Sequence, residues 1–372
     1  SMVRSYFTHD VWLEQQADKG VPLYSDCYVD DLRNIELSHW DLRGCDTAFV
    51  RFTDMEGITA ARVQEIPPGG SLKPFKLGVD ELVYVLGGRG FASVYGEISN
   101  NRRDFEWSTR SAFVIPRNAW SELRNMDGDN PARLLHFNYL PLGLSIITDP
   151  DFFFNNTHVN GSMIDEAKDD FFSEAKDVPK DFGSAWGKIG SSVWRGNFWP
   201  DLLAWDKLVS LDSRGAGGSS IAMYVPGSEL SAHMSVFPPL RYKKAHRHGP
   251  GRLIVIPGGE GFSVMWPEGG EKKVYPWHEG SALTPPNQWY HQHFNVGGMP
   301  ARYFALHPPV QFIGKEEDAS GDSKEDNIDY TAEDPWVRSM FEEELGRRGL
   351  KTGMPEECYT NPDFEFKKAA TS

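Results

Sequence analysis

Four imidazoles dominate the chemistry this sequence could perform. His246-Arg-His248 is followed forty-three positions later by His291-Gln-His293. On a β-strand side chains alternate between faces, so each pair places two imidazoles on one face. Two histidines from one strand and a third from a facing strand can converge on one metal ion. Neutral imidazole suits Fe, Zn, Cu, Ni and Mn. His246 and His248, with His291 or His293, could supply those three. His293 shares the face of His291 and reads either as a proton-moving base or as a hydrogen-bonded wall residue. The isolated His9, His39, His136, His158 and His307 read as surface or structural histidines.

Nearby residues admit two readings each. Arg252 could clamp a substrate carboxylate with its two-pronged guanidinium, or form a salt bridge with Glu260 or Glu268. Gln288 and Trp289, with Tyr290, read as pocket-rim residues or as core. Arg241-Tyr-Lys-Lys244 reads as a solvated strand end. Gly258-Gly-Glu-Gly261 reads as a tight turn, since no helix and no Lys-Ser/Thr follow it as a phosphate loop requires. No G-x-S-x-G elbow is present, and Cys27, Cys45 and Cys358 form no CxxC pair.

The elements that must position these residues are legible in an internal repeat. Val63-Gln-Glu-Ile-Pro-Pro aligns with Met234-Ser-Val-Phe-Pro-Pro at an offset of 171, and the run from Glu81 aligns with that from Arg252. Single-residue deletions shift the offset to 170 (Trp107 with Trp277, Pro116 with Pro286, Asn125 with Asn295) and then to 169 (Pro131-Ala-Arg133 with Pro300-Ala-Arg302). Loops lose residues while strands keep register. Both copies contain short apolar, β-branched runs bounded by Gly and Pro, which predicts an all-β sandwich or barrel, twice. In the first copy Phe75, Leu77 and Ser121 stand where the second has His246, His248 and His291, and Glu81 stands alone opposite Arg252. The first copy is therefore expected to be structural.

The second copy resembles the cupins, small jelly-roll β-barrels. Their motifs run Gly-x5-His-x-His-x3–4-Glu-x6-Gly and Gly-x5-Pro-x-Gly-x2-His-x3-Asn. Here His246-x-His248-x3-Arg252-x6-Gly259 matches the first, with Arg in the Glu slot. Gly280-x5-Pro286-x-Gln288-x2-His291-x3-Asn295 matches the second, with Gln288 in a glycine slot. Arginine cannot ligate a metal, so the resemblance implies a three-histidine site of His246, His248 and His291 with positions open to substrate and O2. The phrases Ala245-His-Arg-His248 and Leu283-Thr-Pro-Pro-Asn-Gln-Trp-Tyr-His-Gln-His293 look like those of gentisate- and salicylate-type ring-cleaving dioxygenases.

The expected fold is an all-β bicupin: two jelly-roll barrels, a partly helical connector and a C-terminal helix. The expected boundaries are an extension over 1–48 with a helix at 8–18, a ligand-free cupin over 49–149, a connector over 150–218, a metal-binding cupin over 219–315, and an acidic loop plus helix over 316–372. Asp334-Pro-Trp to Gly346 carries helix start and stop signals. Seven aromatics (Phe152, Phe153, Phe154, Trp186, Trp194, Trp199 and Trp205) predict a packed connector.

The resemblance implies a mononuclear Fe(II) dioxygenase cleaving a small aromatic acid or dicarbonyl. Arg252 would neutralise the substrate and His293 would move a proton. One alternative is a redox-neutral lyase, isomerase or decarboxylase using Zn or Mn, with Ni a further candidate metal. Another is a non-enzymatic small-molecule-binding cupin. A homodimer is expected.

Composition limits the partners. The 372 residues carry 38 Lys and Arg against 53 Asp and Glu, net charge −15, which disfavours a broad face for nucleic acid or anionic membrane. No run approaches the roughly 20 apolar residues of a membrane span. The start has charges where a secretory leader has an apolar run. A cytoplasmic location is therefore expected, and the sequons at Asn155 and Asn160 are read as chance matches.

Overall fold

The computed structural model describes residues 6–97, 101–160, 164, 170–181, 192–204, 209–210, 214–312 and 326–366. Trp186 and Trp205, the sequon residue Ser162 and most of the acidic loop lie outside the described residues. The chain forms two compact units. The first holds the described residues of 1–177, 194–205 and 223–231, and the second holds the remainder. Residues 223–231, expected in the second cupin, thus belong to the first unit.

In the first unit, strands β1 (Cys45–Val50), β2 (Ala60–Ile66), β3 (Glu81–Gly87), β4 (Arg89–Tyr95), β5 (Arg103–Ser108), β6 (Ala112–Ile115), β7 (Trp120–Asn125) and β8 (Ala132–Asn138) form two sheets. One runs β1-β2-β8-β3-β6 and the other β7-β4-β5, extended by a bridge from Phe75 to Ser121. The neighbours pair antiparallel. Val83, Val85, Val94, Phe105, Phe113 and Leu134 fill the space between the sheets.

The second unit repeats this order. Strands β9 (Ser231–Phe237), β10 (Ala245–His246), β11 (Leu253–Gly258), β12 (Gly261–Trp266), β13 (Lys273–Trp277), β14 (Ala282–Leu283), β15 (Tyr290–Asn295), β16 (Ala301–His307) and β17 (Asn327–Ile328) give sheets β9-β16-β11-β14 and β13-β12-β15-β10-β17. Counted within a copy, the eight barrel strands order as 1-8-3-6 facing 2-7-4-5, which is a jelly roll. The second strand of the first copy is reduced to the Phe75 bridge.

Hydrogen bonds bear out the sequence alignment residue by residue. Phe75 bridges Ser121, and His246 pairs with His291. The Asn118 amide donates to the Leu77 carbonyl at 2.7 Å, and the Gln288 amide to the His248 carbonyl at 2.9 Å. Gly88 and Gly259 adopt φ of 108° and 105°, and a Cβ on either would lie within 2.8 Å of the Cα of Ala132 or Ala301. The expected turn at 258–261 is thus present, and only glycine fits it.

Two helices flank the barrels as the sequence predicts. Helix α1 (Thr8–Asp18) buries Leu13 and stacks Trp12 on Phe154, with ring centroids 5.0 Å apart. Helix α2 (Pro335–Arg347) is capped by the Asp334 carboxylate, which accepts from the Trp336 amide at 2.9 Å. Its stripe of Val337, Phe341 and Leu345 repeats every fourth residue. It packs with Tyr242, Phe262 and Phe294 from the outer face of the second barrel. Among the connector aromatics, Phe153, Trp194 and Trp199 are buried and Phe152 is exposed.

Candidate metal centre

The site is assembled by strand register. His246 on β10 stands directly opposite His291 on β15, and His248 follows two residues after His246. Their ring centroids lie 4.1 Å apart for His246–His291, 4.7 Å for His248–His291 and 5.3 Å for His246–His248. One nitrogen from each ring lies within 4.8 Å of the others. Among the described residues this is the group of His, Cys, Asp and Glu that could hold a metal ion.

Two of the rings are oriented for ligation. The His248 Nδ1 lies 2.9 Å from the Gly249 carbonyl and the His291 Nδ1 3.1 Å from the Trp289 carbonyl. A carbonyl only accepts, so both Nδ1 atoms carry the proton and both Nε2 lone pairs are available. A ligating histidine ordinarily gives its other N–H to such an acceptor. The His248 Nε2 is buried and without a hydrogen-bond partner among the described residues. Burial lowers the pKa of all three rings. His291 falls to about 3, and His246 and His248 fall well below the ordinary value; Arg214 and Arg252 push the same way. The rings are neutral, the form that binds metal.

His246 has a different neighbour. The guanidinium of Arg214 donates to its Nδ1. A turn delivers Arg214, whose carbonyl accepts from the Lys244 amide at 2.9 Å while the Ala216 amide donates to the Tyr330 hydroxyl at 3.0 Å. Sequence reasoning missed Arg214 because it lies in the connector, outside both cupin motifs.

His293 stands apart from the three. Its ring centroid is 5.9 Å from that of His291 and 4.7 Å from that of Tyr303. Its Nδ1 meets the Ser263 hydroxyl at 2.6 Å, and that hydroxyl also accepts from the Trp277 indole at 3.0 Å. Beyond Tyr303 a further pair joins His307, read from the sequence as a surface or structural histidine, to His233, which the sequence did not single out. His233 and His307 meet at 2.5 Å between Nδ1 and Nε2. Lys243 is fully buried and donates to the Tyr303 hydroxyl at 3.1 Å. Lys243 and Tyr242 correct the reading of 241–244 as a solvated strand end: both are 0% exposed.

Arg252 is buried at the start of β11, beside the register pair Leu253–Leu306, and its charge acts on His248, His233 and His307. Neither expected salt-bridge acid serves it: Glu260 pairs with Arg348 at 2.7 Å and Glu268 with Arg247 at 2.9 Å. Gln288 is exposed, so its part is a backbone one, holding the His248 carbonyl. Trp289 is half-buried and likewise contributes its carbonyl, to His291.

The first unit has no such cluster among its described residues. Glu81 is not alone there. It takes both Arg62 nitrogens at 2.6 and 2.7 Å, the His136 Nδ1 at 2.8 Å and the Asn138 amide at 2.8 Å. A neighbouring cleft is lined by Trp12, Trp40, Phe49 and Phe154, with Arg62 at its edge.

The strand order and the repeat thus define a protein of bicupin architecture, with one histidine-rich barrel. No family model matches the chain, and no curated protein matches it. Among solved structures it is similar to the oxalate decarboxylase of Bacillus subtilis, which has Mn(II) centres. One structure of that enzyme has 12% identity and a TM-score of 0.47, covering 77% of this chain and 78% of that one. Another, at pH 4.6, has 11% identity and a TM-score of 0.47, with 77% of each chain covered. No helix among the described residues is long and apolar enough to cross a membrane.

Proposed function

We propose that the chain is a mononuclear metalloenzyme whose C-terminal barrel performs redox-neutral chemistry, of the lyase or decarboxylase type, on a small carboxylic acid. The observation that carries this reading is the convergence of three neutral imidazoles within 4.8 Å, with two Nδ1–H groups tied to backbone carbonyls. His246, His248 and His291 would hold Mn(II) or Zn(II). Such an ion supplies Lewis acidity toward a carboxylate or enolate oxygen. The remaining roles fall to the chain itself. The Gly249 and Trp289 carbonyls fix two rings. Arg252 binds the acid. His293, hydrogen-bonded to Ser263 beside Tyr303, moves the proton that replaces a departing carboxyl.

The buried proton-carrying groups His293, Tyr303 and Lys243 favour this reading, because carbanion protonation needs a donor shielded from bulk water. A second reading, an Fe(II) dioxygenase of the gentisate type, draws support from Arg252 in the fourth-ligand slot, which leaves positions open for substrate and O2. Metal content of protein purified anaerobically tests the site. We expect about one transition-metal ion per chain, lost in His246→Ala and His291→Ala. Full occupancy in both variants would remove the assignment. Turnover of small acids without O2 separates the two readings: activity that needs O2 selects the dioxygenase.

A further inference from the structure

We infer that the first barrel carries a ligand site of its own, built for a small uncharged aromatic molecule with one hydroxyl or N–H group, in the cleft between Trp12, Trp40, Phe49 and Phe154. This is independent of the metal reading and concerns the copy expected from the sequence to be structural. The repeat places the cleft. Arg62, Leu77 and Asn138 also line it, and they are the equivalents of His233, His248 and His307. The first copy therefore keeps an opening where the second gathers imidazoles, and lines it with rings. With its open mouth included the cleft spans about 320 Å3, at the small end of ligand clefts, which limits the guest to one ring or two fused ones.

The lining selects the guest. Trp12 meets Trp40 and Phe49 edge to face, with ring centroids 6.0 and 5.6 Å apart, and Trp40 meets Phe49 the same way at 5.1 Å. Such pairs gain energy beyond the area they bury, so a planar aromatic guest outcompetes an aliphatic one of equal size. Charge is already balanced at the cleft edge. The Arg62 guanidinium is committed to Glu81 at 2.6 and 2.7 Å and to Gln64 at 3.0 Å. The Asn138 amide donates to Glu81 at 2.8 Å, and its carbonyl accepts from the Leu140 amide at 2.9 Å. An anionic guest would meet a guanidinium that is already neutralised. A cationic guest would compete with Arg62, which lies 5.9 Å from the centre of the Trp40 ring. His9 supplies the polar handle. Helix α1 delivers it to the cleft together with Trp12, it is 3% exposed, and its Nδ1 has no hydrogen-bond partner among the described residues. Burial holds the ring neutral, so its two nitrogens offer one donor and one acceptor. A buried polar atom left unpaired is costly, and a hydroxyl or N–H on the guest supplies the missing bond.

Fluorine NMR of para-fluorophenol titrated into the full-length protein tests this, with unlabelled probes as competitors. Phenol and indole should displace it saturably. Toluene, which lacks the hydroxyl, and cyclohexanol, which lacks the aromatic ring, should compete at least fivefold more weakly. Benzoate and phenyltrimethylammonium should not compete at the same concentrations. His9→Leu removes the polar handle and should weaken phenol at least fivefold, bringing it level with toluene. Ala61→Leu narrows the cleft and should abolish binding of both. Melting curves verify that each variant is folded, and the ranking of probes on the unaltered protein decides the matter without them. Affinity should be the same with and without Zn(II), because the site lies in the unit without the three histidines. The proposal is overturned by any of four results: no saturable binding of phenol or indole, a charged or aliphatic probe that matches phenol, phenol binding that survives both variants, or binding that depends on Zn(II). The first three leave the metal site untouched, and the fourth would move the aromatic guest to the second barrel.

Discussion

At the scale of single residues, His246 and Arg214 pose an either-or. A guanidinium only donates, so the His246 Nδ1 accepts from it and the proton sits on Nε2. Ligation through Nε2 moves that proton to Nδ1 and breaks the contact. Ligation through Nδ1 uses the same lone pair. A metal held by His246 would therefore displace the Arg214 guanidinium from this nitrogen. Removing the competition in Arg214→Gln should tighten metal binding several-fold, measured against a chelator of known affinity. Weaker binding would show that Arg214 supports the site instead. Gln288 poses a backbone question. It adopts φ of 60°, as does Asn118 at the equivalent turn with 55°. Left-handed backbone costs an ordinary residue roughly 1–2 kcal/mol, less for asparagine. Gln288→Gly should stabilise the protein by up to about 1 kcal/mol in urea denaturation while leaving metal content unchanged, because the Gln288 side chain is exposed and only its amide holds His248. A loss of stability would mean the side chain packs in solution.

At the scale of elements, the repeat shows how one jelly roll carries two different interiors. The same strands that place His233, Arg252 and His307 in the second unit place Arg62, Glu81 and Asn138 in the first. There the ion pair is buried and multiply hydrogen-bonded. Burial alone would raise the Glu81 pKa, but Arg62 and His136 more than offset it and hold the carboxyl well below its usual range. Glu81→Leu should therefore strand a buried guanidinium and cost roughly 3–5 kcal/mol, whereas Arg62→Met with Glu81→Leu should recover most of that loss. Urea unfolding of the two variants checks this, and equal stabilities would show that the charge on Arg62 is not the source of the cost. The sequence disclosed the all-β class, the repeat offset and the three converging histidines because strand alternation and glycine turns are local signals. It did not disclose Arg214, Lys243, Tyr303 or the His233–His307 pair. These meet only when β9, β16 and the connector turn fold together, and nothing in their immediate sequence marks them. The partners of Glu81 were hidden for the same reason, since Arg62 and His136 lie 19 and 55 residues away from it.

At the scale of the whole molecule, the buried histidines bind stability to pH. In the first unit burial is the main cause of lowered pKa values at His9, to about 3, and at His136, to about 4; Arg51 and Arg62 respectively add to it. Their unfolded value is about 6.5. Above that pH both states are neutral and the folded state loses nothing. As pH falls below 6.5 the unfolded chain takes up protons that the folded chain refuses until its own lower pKa is reached. Each such histidine then removes roughly 1.4 kcal/mol of stability per pH unit. Six further imidazoles in the second unit, His233, His246, His248, His291, His293 and His307, are held below the ordinary value in the metal-free protein. Urea unfolding should therefore be nearly independent of pH from 8.5 to 7 and fall steeply between 6.5 and 5. Trp12 and Trp40, which line the same cleft as His9, provide a fluorescence signal from the first unit. His9→Leu should flatten that slope by about one proton, and added Zn(II) should leave the first-unit slope unchanged while reducing the slope of the second. A stability that stays level from pH 7 to 5 would show that these rings take up protons in the folded state and are not held neutral by burial.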